Sequence, residues 1–378
     1  MPGSNPIEFI GFLSHQETSE IRSATGPLVN KAYLGACARA QEHGGFDRAL
    51  IAYHSAAPDG LQIAAYAAQS TQGLGLLVAH RPGVIAPTVA ARQLASLDHF
   101  SEGRASVNIV SGGNDAELQR DGDFLTHDER YARADEYLQV MKQAWYSEAP
   151  FDFEGQYYRV KGYVSQARPL QRRIPIFFGG SSAAAIEVAG KHADVFMMWG
   201  EPLAGIAEQI AAVKAVAKRH RRAGALGFSV SLRPILGATE GEAWARADRI
   251  LGAVRTRLDA AGVRSGDRPA NTGSQRLLDF ANRGEVLDRC LWTGITRLTG
   301  AASGAAASTG IGGNSTALVG TPEQVANAIL AYHRLGVGHI LVRGFDPLAD
   351  AVAYGHELLP RVRAALHQMS PLDSLAFF

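Results

Sequence analysis

Short apolar strand patterns and longer amphipathic helix patterns alternate eight times along this 378-residue chain. Parallel strands covered by helices should be continuously apolar, and the runs Leu74 to Ala79 and Ile174 to Phe178 are. Eight strand–helix units in one chain are typical of a closed (β/α)8 barrel, which is the α/β fold class that we predict. An open doubly wound sheet is the alternative, but it would not need eight similar units. The other predicted strands are Phe9 to Leu13, Arg48 to Tyr53, Arg104 to Val110, Val195 to Trp199, Gly227 to Leu236 and His339 to Val342.

Two insertions interrupt the alternation in what we predict to be a single barrel domain over residues 1–378. The first, about residues 147–173, contains spaced aromatic residues and is predicted to form a small β excursion. The second, about residues 261–317, holds a helix near Ser274 to Arg289 and ends in a Gly/Ala/Ser-rich run from Gly300 to Gly313. Because a barrel's active site lies among its βα loops, we interpret this run before strand eight as a lid. A plain surface loop is the alternative.

Composition excludes several classes of function. The net charge of +1 gives no indication of a nucleic-acid or membrane partner, and no apolar run approaches the length of a membrane span. No secretory signal pattern is visible, and the only cysteines, Cys37 and Cys290, are far apart, so we expect a cytoplasmic protein without disulfides. The 12 histidines show no metal-ligand spacing, so no metal is predicted.

Two glycine- and serine-rich corners follow neighbouring predicted strands. Ser111-Gly112-Gly113 follows strand four, and Gly179-Gly180-Ser181-Ser182 follows strand five and opens a helix. Another helix starts near His127, which places His127 and Tyr131 on one face, four residues apart. Helix N-termini and small residues suit an oxyanion, so the two corners together predict one bound phosphate. Ordinary turns and helix caps are the alternative.

Polar and aromatic candidates also stand where the other strands end. No P-loop, dinucleotide-binding G-x-G-x-x-G, G-x-S-x-G elbow or carboxylate pair accompanies them, so a bound cofactor that carries the chemistry fits best. These candidates are His15, Tyr53, His54, Trp199, Arg233, Arg343 and Phe345.

The chain resembles the flavin-dependent luciferase-like monooxygenases from about Phe9 to Leu359, and most closely the alkanesulfonate monooxygenase branch. The matching motifs are Arg81 to Gly83, Pro87 to Arg92, Asn108 to Gly113, Phe124 to Tyr131, Phe178 to Ser182, Trp199 to Pro202 and Thr316 to Gly320.

The resemblance implies an FMN-dependent, two-component monooxygenase. A separate NAD(P)H-dependent flavin reductase would supply FMNH2, which reacts with O2 to a peroxyflavin that oxygenates a small substrate. Family members form dimers or tetramers, so a homo-oligomer is expected. The residues expected to hold the phosphate are Tyr131, Gly180, Ser181 and Ser182, and those expected to lie along the flavin are Asn108, Ser111 and His127.

The chain departs from the sulfonate branch at its substrate-binding positions. Ser231 and Arg233 replace an Arg-x-His pair, Ile311 replaces an Arg, Phe345 a Tyr and Ala57 a Cys. Alkanesulfonate desulfonation is the default that the resemblance implies, and the lost residues weaken it. The expected substrate is a small organosulfur (alkanesulfonate-like) compound or a related small compound.

The candidate catalytic residues are Arg233, Arg343, His54 and His15. We hypothesise that the arginines, together with His54, form a rebuilt anion pocket. In the alternative, both arginines pair with local carboxylates such as Asp346 or Glu201. The expected walls of the substrate pocket are Trp199, Phe345 and Tyr53.

Two other functions remain open on the same fold. One is a flavin- or deazaflavin-dependent dehydrogenase, and the other is a non-catalytic flavin-binding protein, which the missing Cys, His and Tyr equivalents would favour. A requirement for oxygen and free reduced FMN separates the first from a monooxygenase.

Overall fold

The structure is a computed structural model that describes residues 6–222, 224–262, 269, 271–299 and 316–368. The chain divides into two compact units. Unit one comprises Met1–Arg48, Met197–Ala211 and Gly227–Phe378, and unit two comprises Ala49–Phe196 and Ala212–Leu226.

Eight parallel strands close into a barrel, which confirms the predicted (β/α)8 fold. The ring runs β1–β2–β3–β4–β7–β8–β9–β13 and returns to β1. In chain order the strands are β1 (Glu8–Leu13), β2 (Arg48–Ile51), β3 (Gly75–His80), β4 (Ala105–Ile109), β5 (Phe151–Glu154), β6 (Arg159–Tyr163), β7 (Ile176–Gly179), β8 (Val195–Trp199), β9 (Gly227–Leu236), β10 (Val286–Leu287), β11 (Leu291–Trp292), β12 (Ala317–Gly320) and β13 (His339–Val342).

Helices separate the ring strands, and most begin at a capping side chain. Asn30, Ser182 and Thr321 each accept a backbone N–H bond from the first turn of their helix. None of the described helices is long and apolar enough to cross a membrane. They are α1 (Lys31–His43), α2 (Gly60–Ser70), α3 (Pro87–Phe100), α4 (Asp115–Gln119), α5 (His127–Tyr146), α6 (Ala183–His192), α7 (Leu203–Arg219), α8 (Glu240–Ala260), α9 (Thr272–Ala281), α10 (Gly294–Thr299), α11 (Pro322–Arg334), α12 (Pro347–Ala353), a π-helical turn (Tyr354–Leu358) and α13 (Leu359–Gln368).

The core of unit two lies between β3, β4 and helices α3 and α5. Every residue of β3 and β4 is buried, as expected for parallel strands with both faces covered. The buried Trp145 of α5 donates its indole N–H to the carbonyl of Ala91 on α3, at 2.9 Å. This bond satisfies the one polar group of a large core side chain and fixes α5 against α3.

The core of unit one is organised by the ten-residue strand β9. Its residues Ser229–Leu232 pair with β13, and Arg233–Leu236 pair with β12, both in parallel. Strands β11 and β10 extend β12 in antiparallel fashion. The inner face of α8 packs with Trp292, Val319 and Phe345 in one buried cluster.

The insertions match the prediction in part. Strands β5 and β6 form an antiparallel hairpin, which confirms the β excursion. The predicted helix Ser274 to Arg289 is shorter, since α9 ends at Ala281 and β10 and β11 follow. The proposed lid, Gly300 to Gly313, lies outside the described residues.

Candidate functional site

The two glycine- and serine-rich corners lie at the same edge of unit two. Strands β4 and β7 are parallel neighbours, with Ile109 opposite Phe178. The carboxyl ends of parallel neighbours meet at one edge of a sheet, so Ser111 after β4 lies at the same edge as Gly180 and Ser182 after β7. Ligands in α/β folds bind at this end of the strands.

Helix α5 brings Tyr131 to this corner. Thr126 and Glu129 form a capping box that starts the helix at His127, so the buried Tyr131 ring lies in its second turn. The Tyr131 hydroxyl hydrogen-bonds to Ser182, whose Oγ also accepts the N–H of Ala185 at 3.2 Å as the cap of α6. Burial raises the pKa of Tyr131, although the Ser182 bond lowers it. Tyr131 therefore stays a neutral donor at physiological pH.

Gly180 makes room for this arrangement. Its φ of +136° lies in a region that residues with a Cβ rarely adopt. A Cβ at Gly180 would lie 2.8 Å from the Tyr131 hydroxyl oxygen and 2.7 Å from the Ala185 Cβ. Only glycine leaves open the space beside the hydroxyl and the first N–H groups of α6, where an anion can approach.

Two buried polar atoms near the end of β4 have no hydrogen-bond partner among the described residues. They are Oδ1 of Asn108 and Oγ of Ser111, whose residues are 8% and 4% exposed. A buried polar group without a partner costs roughly 1–3 kcal/mol, so such atoms at a functional edge indicate groups that a ligand satisfies. The residues present fit a phosphate whose attached group carries hydrogen-bonding atoms, as FMN does.

His127 lies at the exposed rim of this corner. Its ring centroid is 4.9 Å from that of Tyr131, and its Nδ1 lies 2.7 Å from Asp128 Oδ1. The structure thus brings His127, Tyr131, Gly180 and Ser182 together, and Ser181 stands between the last two in sequence.

Three arginines hold the segment between β4 and α5. Arg81 binds Glu117 at 2.7 Å and Asp121 at 3.2 Å, Arg130 binds Asp115 at 2.9 Å, and Arg133 binds Asp123 at 2.5 Å. All three arginine side chains are largely buried. Ion pairs therefore help to order the polar stretch after Gly113, together with the buried side chain of Leu118.

Tyr53 and His54 lie beside the same ion-paired segment between β4 and α5. The Tyr53 hydroxyl donates to Asp121 at 2.8 Å, and the Arg81 guanidinium lies 4.5 Å above the Tyr53 ring centroid. Burial, reinforced by Asp121, raises the pKa of Tyr53 to about 12. The Nδ1 atom of His54 accepts the N–H of Ala56 at 3.2 Å, which leaves Nε2 to carry the proton of the neutral ring.

In unit one, Arg233 and Arg343 share the buried carboxylate of Glu20. Arg233 is 1% exposed and binds Glu20 at 2.7 Å, and its guanidinium also donates to the carbonyls of Arg343 and Gly344. Arg343 lies 3.7 Å from Glu20. Burial alone would raise the pKa of Glu20, but the charges of Arg233 and Arg343 lower it to about 2.

This geometry matches the alternative in which local carboxylates pair with the arginines, but with a different carboxylate. Asp346 binds Arg22 and Arg246, and Glu201 binds Arg276, so neither of the two carboxylates named from the sequence is the partner. Arg343 is the more accessible arginine, with a side chain 21% exposed, and its Nε is buried without a partner among the described residues.

The remaining candidates occupy different surroundings in unit one. Phe345 is fully buried in the core cluster, with the Arg233 guanidinium 3.7 Å from its ring centroid, so it presents no surface to an open pocket. Trp199 is half-buried at the end of β8 and packs beside Gly273, where a Cβ would lie 3.1 Å from its ring. His15 is half-buried after β1, and burial lowers its pKa.

Comparison with known families decides the identity of the chain. The family model described as luciferase-like monooxygenase matches residues 7–339. The chain belongs to the luciferase-like monooxygenase family. It is therefore an enzyme of the flavin-dependent monooxygenase class.

Solved structures share the fold of this luciferase-like monooxygenase. A riboflavin lyase with modified FMN and riboflavin is 22% identical, with a TM-score of 0.78, over 95% of this chain and 92% of the other. EDTA monooxygenase from Chelativorans sp. BNC1 is 18% identical, with a TM-score of 0.73, over 95% and 94%. An F420-dependent secondary alcohol dehydrogenase is 15% identical, with a TM-score of 0.68, over 94% and 99%.

Two sets of ion pairs in this luciferase-like monooxygenase were not predicted from the sequence. Glu20 was not recognised as the partner of Arg233, because the two residues are 213 positions apart and no local pattern joins them. The ion pairs of Arg81 with Glu117 and Asp121 were also not predicted. The sequence does carry a signal for them, since the acidic run of Asp115, Glu117, Asp121 and Asp123 indicates cationic partners.

Proposed function

We propose that this luciferase-like monooxygenase uses FMNH2, supplied by a separate NAD(P)H-dependent flavin reductase, to insert one oxygen atom of O2 into a small organosulfur or related substrate. The observation that carries the proposal is the corner in unit two. The Tyr131 hydroxyl and the Ser182 side chain are hydrogen-bonded to each other beside the space that Gly180 leaves open. A homo-oligomer and a cytoplasmic location belong to the same proposal.

Each residue of the corner has a role in binding the cofactor. Tyr131, Ser181, Ser182 and the backbone at Gly180 would hold the phosphate, which the N-terminus of α6 also favours. The buried Oδ1 of Asn108 and Oγ of Ser111 would form hydrogen bonds with polar atoms of the flavin, and His127 would lie beside the flavin. When bound, the reduced flavin supplies the electrons that activate O2.

The substrate is proposed to meet Arg343 rather than Arg233. Arg233 is fully buried and already bound by Glu20 and two carbonyls, so it holds Glu20 and its neighbours in position. The cluster contains two guanidinium groups and one carboxylate, so it keeps a positive charge that an anionic substrate group would balance. In unit one, His15 is proposed as a proton donor or acceptor and Trp199 as a pocket wall. In unit two, His54 and Tyr53 are proposed for the same two roles.

Oxygen incorporation tests this function directly. The protein would be mixed with a flavin reductase, FMN, NADH, ¹⁸O2 and a panel of sulfonates, sulfones and non-sulfur acids. The proposal expects one ¹⁸O atom in the product and no turnover when FMN is omitted. Sulfite release would identify a sulfonate substrate. Turnover that continues without oxygen would reject a monooxygenase.

A second candidate function is a flavin- or deazaflavin-dependent dehydrogenase. It is favoured by the structural likeness to the F420-dependent secondary alcohol dehydrogenase. A dehydrogenase would reduce the oxidised cofactor anaerobically when substrate is added. Bleaching of FMN or of a deazaflavin under nitrogen would support this candidate, and the oxygenation assay above would then show no ¹⁸O product.

A further inference from the structure

A basic pocket lies at the opposite end of β7 from the glycine–serine corner. It has a volume of about 490 Å³ and is lined by Lys142 and Tyr146 near the end of α5 and by Arg172, Arg173 and Ile174 before β7. This size falls within the usual range for small-molecule sites. The pocket belongs wholly to unit two and shares no residue with the proposed flavin site.

The Lys142 ammonium is held in place by hydrogen bonds, and no carboxylate in the described part of the chain forms a direct ion pair with it. Its Nζ donates to the carbonyl of His192 at 3.0 Å and lies 3.3 Å from the Nδ1 of the His192 ring. Two carboxylates act on its charge, and both are already bound: Asp194 by Arg173 and Arg222, and Asp135 by His192 and Lys191. Burial lowers the pKa of Lys142 to about 8, and the neighbouring charge of Arg222 adds to this effect. An anion in the pocket would stabilise the ammonium.

Positive charge exceeds negative charge around the pocket. Asp194 lies 2.5 Å from Arg173 and 3.7 Å from Arg222, and it also accepts the N–H of Ile176. Arg222 is fixed by the carbonyls of Gly190 and Ala193. Among the described residues that line the pocket, three are cations and none is a carboxylate, and Asp194 beside it is bound by Arg173 and Arg222. This imbalance is unusual for a surface that serves stability alone, because like charges repel each other.

Tyr146 adds an aromatic surface to the charged wall. The residue is 40% exposed, while its hydroxyl accepts the N–H of Ile174 at 3.2 Å. The ring orientation is further fixed by the Trp145 ring, whose centroid is 5.9 Å away. A fixed, partly exposed ring beside several cations suits a ligand that combines a phosphate group with a flat apolar part.

We propose that this pocket is a second anion site that binds a phosphate-bearing small molecule, with the phosphate on Lys142, Arg172 and Arg173. A pyrophosphate group, which carries several negative charges, is the ligand chemistry that the surplus of cations favours most. The site is independent of the proposed flavin function, since it lies at the amino end of β7 and the flavin corner at its carboxyl end.

Pyrophosphate binding to the full-length protein tests the proposal. Calorimetry at low ionic strength would use Tyr131→Phe as the background variant. In this variant, pyrophosphate binding at the glycine–serine corner should contribute less to the measured heat. On this background, Arg172→Gln and Lys142→Gln are each expected to weaken pyrophosphate binding by about tenfold, the effect of one charge-assisted hydrogen bond. Lys161→Gln, which removes an exposed lysine from the β5–β6 hairpin, is the charge-matched control and is expected to change nothing.

Arg172 is exposed, so Arg172→Gln is expected to keep the thermal unfolding temperature and the FMN affinity of the wild type. The proposal is overturned if pyrophosphate does not bind, or if Arg172→Gln and Lys161→Gln weaken binding equally. An acidic peptide of eight glutamates that binds where pyrophosphate does not would also overturn it, in favour of a protein partner. A failure of FMN to bind would leave these results unaffected.

Discussion

Gly180 shows how one residue controls the proposed cofactor site. Its positive φ and the absence of a Cβ let the Tyr131 hydroxyl approach Ser182. Sequence reasoning selected Gly180, Ser182 and Tyr131 because small residues after a strand and a helix N-terminus are local patterns. It could not find Glu20, because a buried ion pair between distant residues depends on tertiary packing alone.

Loss of the Tyr131 hydroxyl is expected to weaken FMN binding. Tyr131→Phe removes one donor to the phosphate and should raise the Kd of FMN by about tenfold, the effect of a hydrogen bond to a charged group. Fluorescence quenching of FMN measures this. Tyr354→Phe, which also removes a buried tyrosine hydroxyl but in unit one, is the matched control and should leave the Kd unchanged. Equal effects of the two variants would remove Tyr131 from the site.

Glu20 is expected to stabilise the fold in a pH-dependent way. Its folded pKa of about 2 lies below the ordinary value of 4.5 for a glutamate, so its contribution is present above pH 4.5 and disappears as the pH falls toward 2. Glu20→Gln should therefore lower the free energy of unfolding by about 3 kcal/mol at pH 7. The difference between wild type and variant should shrink below pH 4.5.

Urea unfolding between pH 3 and pH 7 measures this difference. The control is Glu17→Gln, which removes a partly exposed carboxylate 3.7 Å from Arg22 and should have little effect. A Glu20→Gln variant as stable as the wild type at pH 7 would contradict the assignment of Glu20 as the charge that holds Arg233.

At the scale of elements, ion pairs hold the segment between β4 and α5, together with the buried Leu118. Arg81→Gln would leave Glu117 and Asp121 without their cation, and amide hydrogen exchange in α4 (Asp115–Gln119) is expected to accelerate at least tenfold. Exchange in α6 should stay unchanged. Arg92→Gln, on the partly exposed face of α3, is the control. Unchanged exchange in α4 would show that Arg81 does not brace it.

The ring strands and their helices could be predicted from the sequence because the spacing of apolar residues differs between strands and helices. Capping residues also mark where most of the helices begin. Strand β12 and helix α11 could not, because β12 pairs with the second half of the long strand β9 and lies outside the eight-strand ring. The helical segment that begins with α12 and ends with α13 is interrupted by the π-helical turn Tyr354–Leu358. There Gly355 approaches Gly44 so closely that a Cβ on Gly355 would lie 2.4 Å from the Cα of Gly44. No local sequence pattern reveals this contact.

For the whole molecule, a buried neutral histidine predicts loss of stability in mild acid. His80 is buried, its Nε2 lies 2.6 Å from the Tyr137 hydroxyl, and burial lowers its pKa to about 4. The unfolded chain takes up this proton near pH 6.5, so the stability is present above pH 6.5 and is lost as the pH falls toward 4. The loss amounts to about 3 kcal/mol for this group.

His80→Gln keeps a polar partner for Tyr137 but cannot take up the proton. The slope of unfolding free energy against pH between 6.5 and 4 should therefore be smaller in His80→Gln than in the wild type. The exposed His43→Gln serves as the control and should keep the wild-type slope. An identical slope in His80→Gln would mean that His80 does not set the acid sensitivity.

The comparison of FMN with riboflavin is the sharpest test of the proposed phosphate site, because the two differ only in the phosphate. If Tyr131, Ser182 and the N-terminus of α6 hold that phosphate, FMN should bind at least about 100-fold more tightly than riboflavin, as expected for two charge-assisted hydrogen bonds. The ratio should fall in Tyr131→Phe. Equal affinities for FMN and riboflavin in the wild-type protein would contradict the phosphate site and, with it, the proposed function.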